Sequence, residues 1–258
     1  MNRYCSLIFM LFFFLLLFMT TFQPSPLETE EGDSPSQSST FPPDLTPDPN
    51  PEPNPFPDPP PPPIAYIILD PGHGGKEEGA KGWTTGVKEK DIVLSIANFT
   101  QKWLSEHRVK AFLTRIGDYA LDPTLRKDLL LRARFADTSH LQAVLFVSIH
   151  IDQFNKTVHG TKVYYSTENP FPKESKALAR TVHDHLVQEI GSKPLDVHMN
   201  HFLVLRHNTV PAVLVEVGHL SHPEEEKLLI TPQYQELAAI GIGKGILAYL
   251  EATHHSGR

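Results

Sequence analysis

Two histidines and two glutamates in this sequence have the chemistry of a metal-dependent hydrolase. His73 lies in a glycine-rich turn after an apolar run, and His150 directly follows a second apolar run. Glu89 opens a predicted helix, and Glu216 interrupts residues that would otherwise suit the interior of a sheet. Catalytic zinc typically takes three imidazole or carboxylate ligands and leaves its fourth position for water. A buried carboxylate without a partner is costly or becomes neutral, so Glu216 is expected to serve a cation or a catalytic step.

Each of these residues also has an ordinary interpretation when it is considered alone. His73 could belong to a plain surface turn, and His150 could be a hydrogen-bonded structural histidine. Glu89 could simply compensate the dipole of its helix. The three candidate ligands are separated by 16 and 61 residues, and the chain contains no helical His-Glu-x-x-His pair. Spacing alone therefore does not establish a metal site, and the fold must bring the ligands together.

The hydrophobic pattern of residues 64–258 predicts strands that alternate with helices. Strands are predicted at 66–69, 109–114, 143–149, 161–165, 202–205 and 212–217, and helices at 90–104, 125–135, 174–190 and 233–250. This order predicts a single α/β domain with a mostly parallel central sheet covered by helices on both faces. Ligands of such sheets bind beyond the carboxyl ends of the strands.

The first 63 residues differ in composition from the rest of the chain. Residues 1–23 contain Arg3 followed by an apolar run, the layout of a secretion signal that is either cleaved or kept as an anchor. Residues 24–63 contain sixteen of the 24 prolines and eight carboxylates, but no Lys or Arg. That composition predicts a disordered, acidic, Pro-rich linker. The catalytic domain is then 64–258, exported to a periplasm or similar compartment and either free or tethered to the membrane through residues 1–23.

The charge balance of the predicted domain argues against a nucleic-acid partner. Residues 64–258 hold 22 basic and 22 acidic side chains, so most of the net charge of −7 comes from the linker. Proteins that bind nucleic acids usually present a basic face. The single cysteine, Cys5, precedes the domain, which must therefore rely on its hydrophobic core without disulfides. We expect a monomer.

A series of ordered segments resembles the zinc-dependent N-acetylmuramoyl-L-alanine amidase family often called Amidase_3. The segments are 68–75, Glu89 with its helix, 112–115, 131–132, 146–150, 160–165, 202–206 and 211–218. The resemblance covers residues 64–252. It implies that His73, Glu89 and His150 bind Zn²⁺ and that Glu216 is the catalytic carboxylate. The chain departs from the family at Ile151, His219 and His222, where Ala, Phe and Asn are common, and these departures bear on substrate contacts rather than on zinc.

The same resemblance implies a reaction. The expected substrate is peptidoglycan, cut at the amide between N-acetylmuramic acid and the L-alanine of the stem peptide, in cell-wall remodelling or daughter-cell separation. Arg115, Arg132 and Arg206 are candidates to bind a stem-peptide carboxylate, although surface ion pairs are the commoner role of arginine. Two alternatives remain, a zinc peptidase that cuts another peptidoglycan bond and a catalytically inactive wall-binding module or amidase regulator.

The interval between the second histidine and Glu216 predicts an accessible site. Some amidases of this family are held inactive by an extra helical insertion in this interval. Here residues 151–212 must already supply two strands and one helix, which leaves connections of at most 11 residues. Isolated helices shorter than about 12–15 residues are marginally stable. The sequence therefore predicts an open cleft that acts without an activating partner.

Overall fold

The computed structural model describes residues 61–138 and 142–255, which form one sheet and its covering helices. The strands are β1 (Ala65–Pro71), β2 (Val109–Leu113), β3 (Leu145–Asp152), β4 (Thr161–Tyr165), β5 (Pro194–Met199) and β6 (Ala212–His219). The helices are α1 (Glu89–Glu106), α2 (Leu125–Ala133), α3 (Phe135–Thr138), α4 (Pro172–Ile190), α5 (Leu203–Arg206), α6 (Pro223–Leu229) and α7 (Pro232–His255). The predicted secretion segment, and all but the last three residues of the predicted linker, lie outside the described residues.

The sheet is mixed but mostly parallel. Its strands lie in the order β2-β1-β3-β6-β4-β5. All neighbouring pairs are parallel except β4 and β6, which run in opposite directions. The predicted fold class is therefore confirmed, with helices on both faces of the sheet.

Alternate residues of the central strands enter two separate cores. In β1, Ile67 and Leu69 pack in the larger core with α1, α4 and α7, whereas Ile68 packs in the smaller core beside α5. The same alternation continues in β3 and β6. Because side chains of a strand have a period of two, Asp70, His150 and Glu216 share the face of the smaller core. The polar site therefore develops on the face covered by short helices.

The larger core fixes the sheet through three long helices. Leu178, Val182 and Leu186 recur every four residues along α4 and are fully buried, which is the pattern of an amphipathic helix. Helix α7 approaches α4 closely because it carries glycine at the contact, and a methyl group at Gly245 would lie 2.5 Å from the Val182 Cα. No helix in the described part of the chain has the length and apolar character needed to cross a membrane.

The predicted strand at 202–205 is wrong. Those residues begin the single helical turn α5, and the neighbouring strand is β5, at the edge of the sheet. Four apolar residues can form a buried helical turn or a buried strand, and their pattern does not distinguish the two. Strand β5 begins with proline, contains Asp196 and His198, and is half-exposed along its length, so it lacks the apolar pattern of an interior strand.

Candidate metal centre and active site

The fold brings the three predicted ligands together. His73 follows β1, His150 lies near the end of β3, and Glu89 begins α1. Glu89 Oε1 lies 3.1 Å from His73 Nε2 and 3.0 Å from His150 Nδ1. One donor atom from each residue lies within 4.8 Å of the other two.

Glu89 is held in place by backbone N–H groups of the loop between β1 and α1 and of strand β3. Its Oε2 accepts a hydrogen bond from Ala80 N at 2.7 Å, and its Oε1 accepts one from Ile151 N at 2.9 Å. Burial raises the pKa of this carboxyl, but the hydrogen bonds from His150 and His73 outweigh that effect and hold the pKa below its ordinary range. Glu89 is therefore a charged group with a fixed orientation.

Two glycines leave the space that the ligands occupy. A methyl group at Gly72 would lie 2.2 Å from His150 Cε1, and one at Gly79 would lie 2.5 Å from Glu89 Oε2. His73 itself has a φ of 61°, in the left-handed region that residues other than glycine seldom adopt. Surrounding contacts must therefore hold the turn of His73 in this conformation.

Arg115 provides part of that support. Its guanidinium is fully buried and donates hydrogen bonds of 2.7–3.0 Å to four backbone carbonyls, those of Pro71, Gly72, Lys90 and Gly117. These bonds connect the turn before His73 to the start of α1, where Glu89 lies. This placement favours a supporting role over the predicted contact with substrate.

Arg132 supports the same turn from the other face. It donates to Asp70 Oδ1 at 2.9 Å, to Asp128 Oδ2 at 2.7 Å, to the Pro71 carbonyl at 2.9 Å and to the His73 carbonyl at 2.6 Å. Arg132 and Asp70 are both almost completely buried. The guanidinium is thus committed to the protein, and it too positions the ligand turn rather than presenting free donors to a substrate.

Arg206, the third predicted substrate-binding residue, is separate from this network. It lies on α5 with a partly exposed side chain, and its Nη1 is 3.6 Å from Glu168 Oε2. It is not among the residues that line the cleft beside the ligands. The structure therefore does not bring the three arginines together.

Glu216 lies on β6 directly beside His150 of β3, and opposite Lys162 of β4. It is buried, and its Oε2 has no hydrogen-bond partner among the described residues. Burial raises the pKa of Glu216 well above its ordinary value, and repulsion from Glu89 and Asp152 raises it further. The environment of Glu216 thus increases the proton affinity of its carboxylate.

A cleft of about 580 Å³ joins the ligands to Glu216. Two short helices on the face of the smaller core contribute to its walls, since α2 provides Leu125 and Leu129 and the region of α5 provides Phe202 and Leu203. Between β3 and β6 the chain forms only β4, α4, β5 and the four-residue α5. In these described residues the interval holds one helix of more than four residues, α4.

Sequence reasoning missed a polar cluster next to Glu216. Asp152 lines the cleft and pairs with Lys162, and the buried ring of His219 lies 3.5 Å from Asp152 and 3.6 Å from Glu225. Neither ring nitrogen of His219 makes a hydrogen bond within the described chain. His219 occupies a position where the family resemblance led us to expect phenylalanine, and its surroundings do not satisfy an imidazole.

The donor set fits a zinc ion. Two imidazole nitrogens and one carboxylate oxygen form a common set for catalytic zinc, and tetrahedral ligand atoms are roughly 3.3 Å apart. The two Glu89-to-histidine distances, 3.0 and 3.1 Å, are close to that spacing. His73 and His150 are partly exposed towards the cleft, which leaves an approach for water and substrate.

Fold and site together define a mostly parallel α/β domain with a His-Glu-His group that could hold a metal ion and a separate buried carboxyl in one cleft. Residues 67–248 match the family described as N-acetylmuramoyl-L-alanine amidase, Amidase_3. That match covers most of the chain, and the protein belongs to this family.

Relatives support the same assignment. The chain is 34% identical over 191 residues to the germination-specific N-acetylmuramoyl-L-alanine amidase of Bacillus subtilis, covering 71% of this chain and 78% of that protein. It is 33% identical to an uncharacterised cell wall amidase of Bacillus anthracis, covering 74% of this chain but only 36% of the relative. The crystal structure of N-acetylmuramoyl-L-alanine amidase from Clostridium difficile 630 is 32% identical, with a TM-score of 0.65 over 72% of this chain and 97% of that one.

Proposed function

We propose that this protein is a zinc-dependent N-acetylmuramoyl-L-alanine amidase that acts on peptidoglycan in cell-wall remodelling or daughter-cell separation. The observation that carries the proposal is the single cleft in which His73, Glu89 and His150 converge next to Glu216. Family membership supplies the bond: the amide between the lactyl group of N-acetylmuramic acid and the L-alanine of the stem peptide.

The three ligands would hold Zn²⁺ through two imidazole nitrogens and the Glu89 carboxylate. A bound zinc ion would supply Lewis acidity, which polarises a carbonyl group and lowers the pKa of water. The protein's contribution is to prepare the site. The hydrogen bonds from Ala80 and Ile151 fix Glu89, while Arg115 and Arg132 fix the turn of His73.

Glu216 is the proposed general base and general acid. It accepts a proton from the attacking water as the oxygen adds to the scissile carbonyl carbon. It then returns a proton to the alanine nitrogen as the carbon–nitrogen bond breaks. The products are a lactyl carboxylate on the glycan and a stem peptide with a free amine. The raised pKa of Glu216 supports the second step, because a buried carboxyl retains the proton until the amine leaves.

The substrate implies a location outside the cytoplasm. We propose that residues 1–23 export the chain, that residues 24–63 separate the domain from the membrane when the signal is retained, and that residues 64–258 reach the wall as a monomer. We propose also that the cleft acts without an activating partner, since α4 is the one helix of more than four residues between β3 and β6.

Mass spectrometry of digested wall material tests the proposed bond. We would incubate the purified full-length chain with zinc and isolated peptidoglycan, with no other protein, and expect peptide-free glycan strands together with stem peptides that begin at L-alanine. A chelator should abolish the products, and zinc should restore them. Fragments cut within the stem peptide would instead identify a peptidase, and products that require a cell extract would contradict the accessible cleft.

A further inference from the structure

An exposed tryptophan stands at the tip of a turn in the loop between β1 and α1. Trp83 is 64% exposed, which is unusual for so large an apolar side chain. The turn closes through hydrogen bonds from Gly86 N to Gly82 O at 3.1 Å and from Gly82 N to Val87 O at 2.8 Å. The backbone beneath Trp83 is therefore ordered, although the side chain points into solvent.

A buried carboxylate holds this turn in place. Glu226 of α6 is 1% exposed, and its oxygens accept hydrogen bonds from Thr84 N at 3.0 Å, Thr85 N at 2.8 Å and Thr85 Oγ1 at 2.7 Å. Hydrogen bonds to a charged acceptor are among the stronger ones in proteins. Trp83 thus stands on a rigid base, and a binding partner would find its ring already positioned.

A second loop contributes to the same surface. Lys156 Nζ lies 4.0 Å from the centre of the Trp83 ring, and Phe154 is 75% exposed. The loops are also joined by a 3.3 Å hydrogen bond from Lys81 N to Gln153 Oε1. We call Trp83, Phe154 and Lys156 the aromatic rim.

The aromatic rim lies on two loops that also line the cleft, the loop between β1 and α1 and the loop between β3 and β4. Ala80 and Gln153 both line the cleft. Trp83 comes three residues after Ala80, and Phe154 directly follows Gln153. Any polymer that carries the scissile bond into the cleft must therefore continue across the neighbouring surface.

We propose that the aromatic rim binds the glycan strand of the substrate, with Trp83 stacked on the face of a pyranose ring. This inference rests on the proposed function, in which a polysaccharide is attached to the carbonyl side of the scissile amide. Pyranose rings present apolar C–H faces and polar edges, and an indole combines a broad apolar face with a single polar group. Lys156 lies against one face of the indole, and the opposite face is the one that takes the sugar.

Calorimetric binding to the full-length chain tests the rim without requiring catalysis. The probe is a peptide-free oligomer of alternating N-acetylglucosamine and N-acetylmuramic acid, and the free stem peptide serves as the second ligand. Trp83→Ala should raise the Kd for the glycan about 5- to 10-fold and leave stem-peptide binding unchanged. Trp83→Phe should recover part of the affinity, and Phe154→Ala should have a smaller effect. Leu237→Ala, an exposed apolar residue on α7, is the matched control and should bind as the wild type does.

The outcomes separate this inference from the proposed function. Unchanged glycan affinity in Trp83→Ala, no glycan binding by the wild type, or a loss confined to the stem peptide would each overturn the glycan assignment. A glycan affinity that depends on Trp83, together with cleavage at some other bond, would contradict the proposed reaction and still support glycan binding by the aromatic rim. Unchanged melting temperatures would confirm that the variants fold.

Discussion

Glu89 and Glu216 are both buried in one cleft, yet their environments move their pKa values in opposite directions. Glu89 receives two backbone N–H groups and lies against two histidines. Glu216 has one oxygen without any partner in the described chain, and its nearest charged neighbours include two other carboxylates. Burial opposes ionisation in both cases.

The difference shows that partners, rather than burial, decide the charge of a carboxyl group here. Glu89 is kept ionised and oriented, which suits a metal ligand. Glu216 is kept in an environment that favours a proton, which suits a group that must accept and return one. The same residue type thus occupies two opposite electrostatic environments in one cleft.

Isosteric substitution of each glutamate should separate the two purposes most clearly. Glu216→Gln should retain zinc and lose about 10²–10⁴-fold in turnover, because only the proton carrier is removed. Glu89→Gln should lose zinc as well as activity, because a neutral amide replaces the charged ligand. Metal analysis and muropeptide release on the same preparations measure both effects.

Two results would break this comparison. Turnover near that of the wild type in zinc-loaded Glu216→Gln would require another base. Stoichiometric zinc in Glu89→Gln, or in His73→Ala and His150→Ala, would remove those residues from the ligand set.

Substitution of Arg132 should show how much the ligand side depends on its buried support. Arg132→Met leaves Asp70 and Asp128 without their cation, and breaking a buried ion pair typically costs about 3–5 kcal/mol of unfolding free energy. Arg180→Met removes an exposed pair with Asp196 and is the matched control. Denaturant unfolding should show a large loss for the first variant and little change for the second. Equal losses would mean that the network under His73 has no special importance.

The smallest expected effect is a pH dependence of stability in the absence of metal. The folded-state pKa of Glu216 is raised, so the folded protein binds more protons than the unfolded chain above about pH 4, and stability falls as pH rises. Glu216→Gln has no titrating carboxyl at this position, so it lacks this pH-dependent loss of stability. With chelator present, the melting temperature of the variant should gain on that of the wild type from pH 4 to pH 8. Parallel melting curves across that range would contradict the raised pKa.

The sequence predicts those parts of the site in which a polar residue differs from the apolar residues next to it in the chain. Glu216 interrupts an apolar run, and a carboxylate in such a place has few structural explanations. His150 ends another apolar run and becomes a candidate ligand only together with His73 and Glu89. The long buried strands and the helices α1, α4 and α7 are also predicted, because each must bury one or two faces and its apolar residues therefore recur at the spacing of a strand or a helix.

The parts that the sequence does not predict depend on distant partners. Arg115 and Arg132 look like surface residues, and only the folded chain shows the carbonyls and carboxylates that justify burying them. Strand β5 is recognisable only from its pairing with β4, because an edge strand half-exposed to water needs no apolar pattern. The hydrogen bonds that support the turn of His73 can therefore be identified only from the tertiary structure.

Among the six strands of the described residues only β4 and β6 pair antiparallel, and this pairing has a consequence for how such a domain can change its substrate range. Because β4 runs against β3, the connection at 153–160 turns back at the edge where the cleft opens, without a helix on the far face. Residues inserted there would lengthen only the loop that carries Phe154 and Lys156. They would leave the packing between the sheet and the long helices unchanged. This connection is the place where loop grafting would change the surface beside the cleft while the sheet and its long helices stay unchanged.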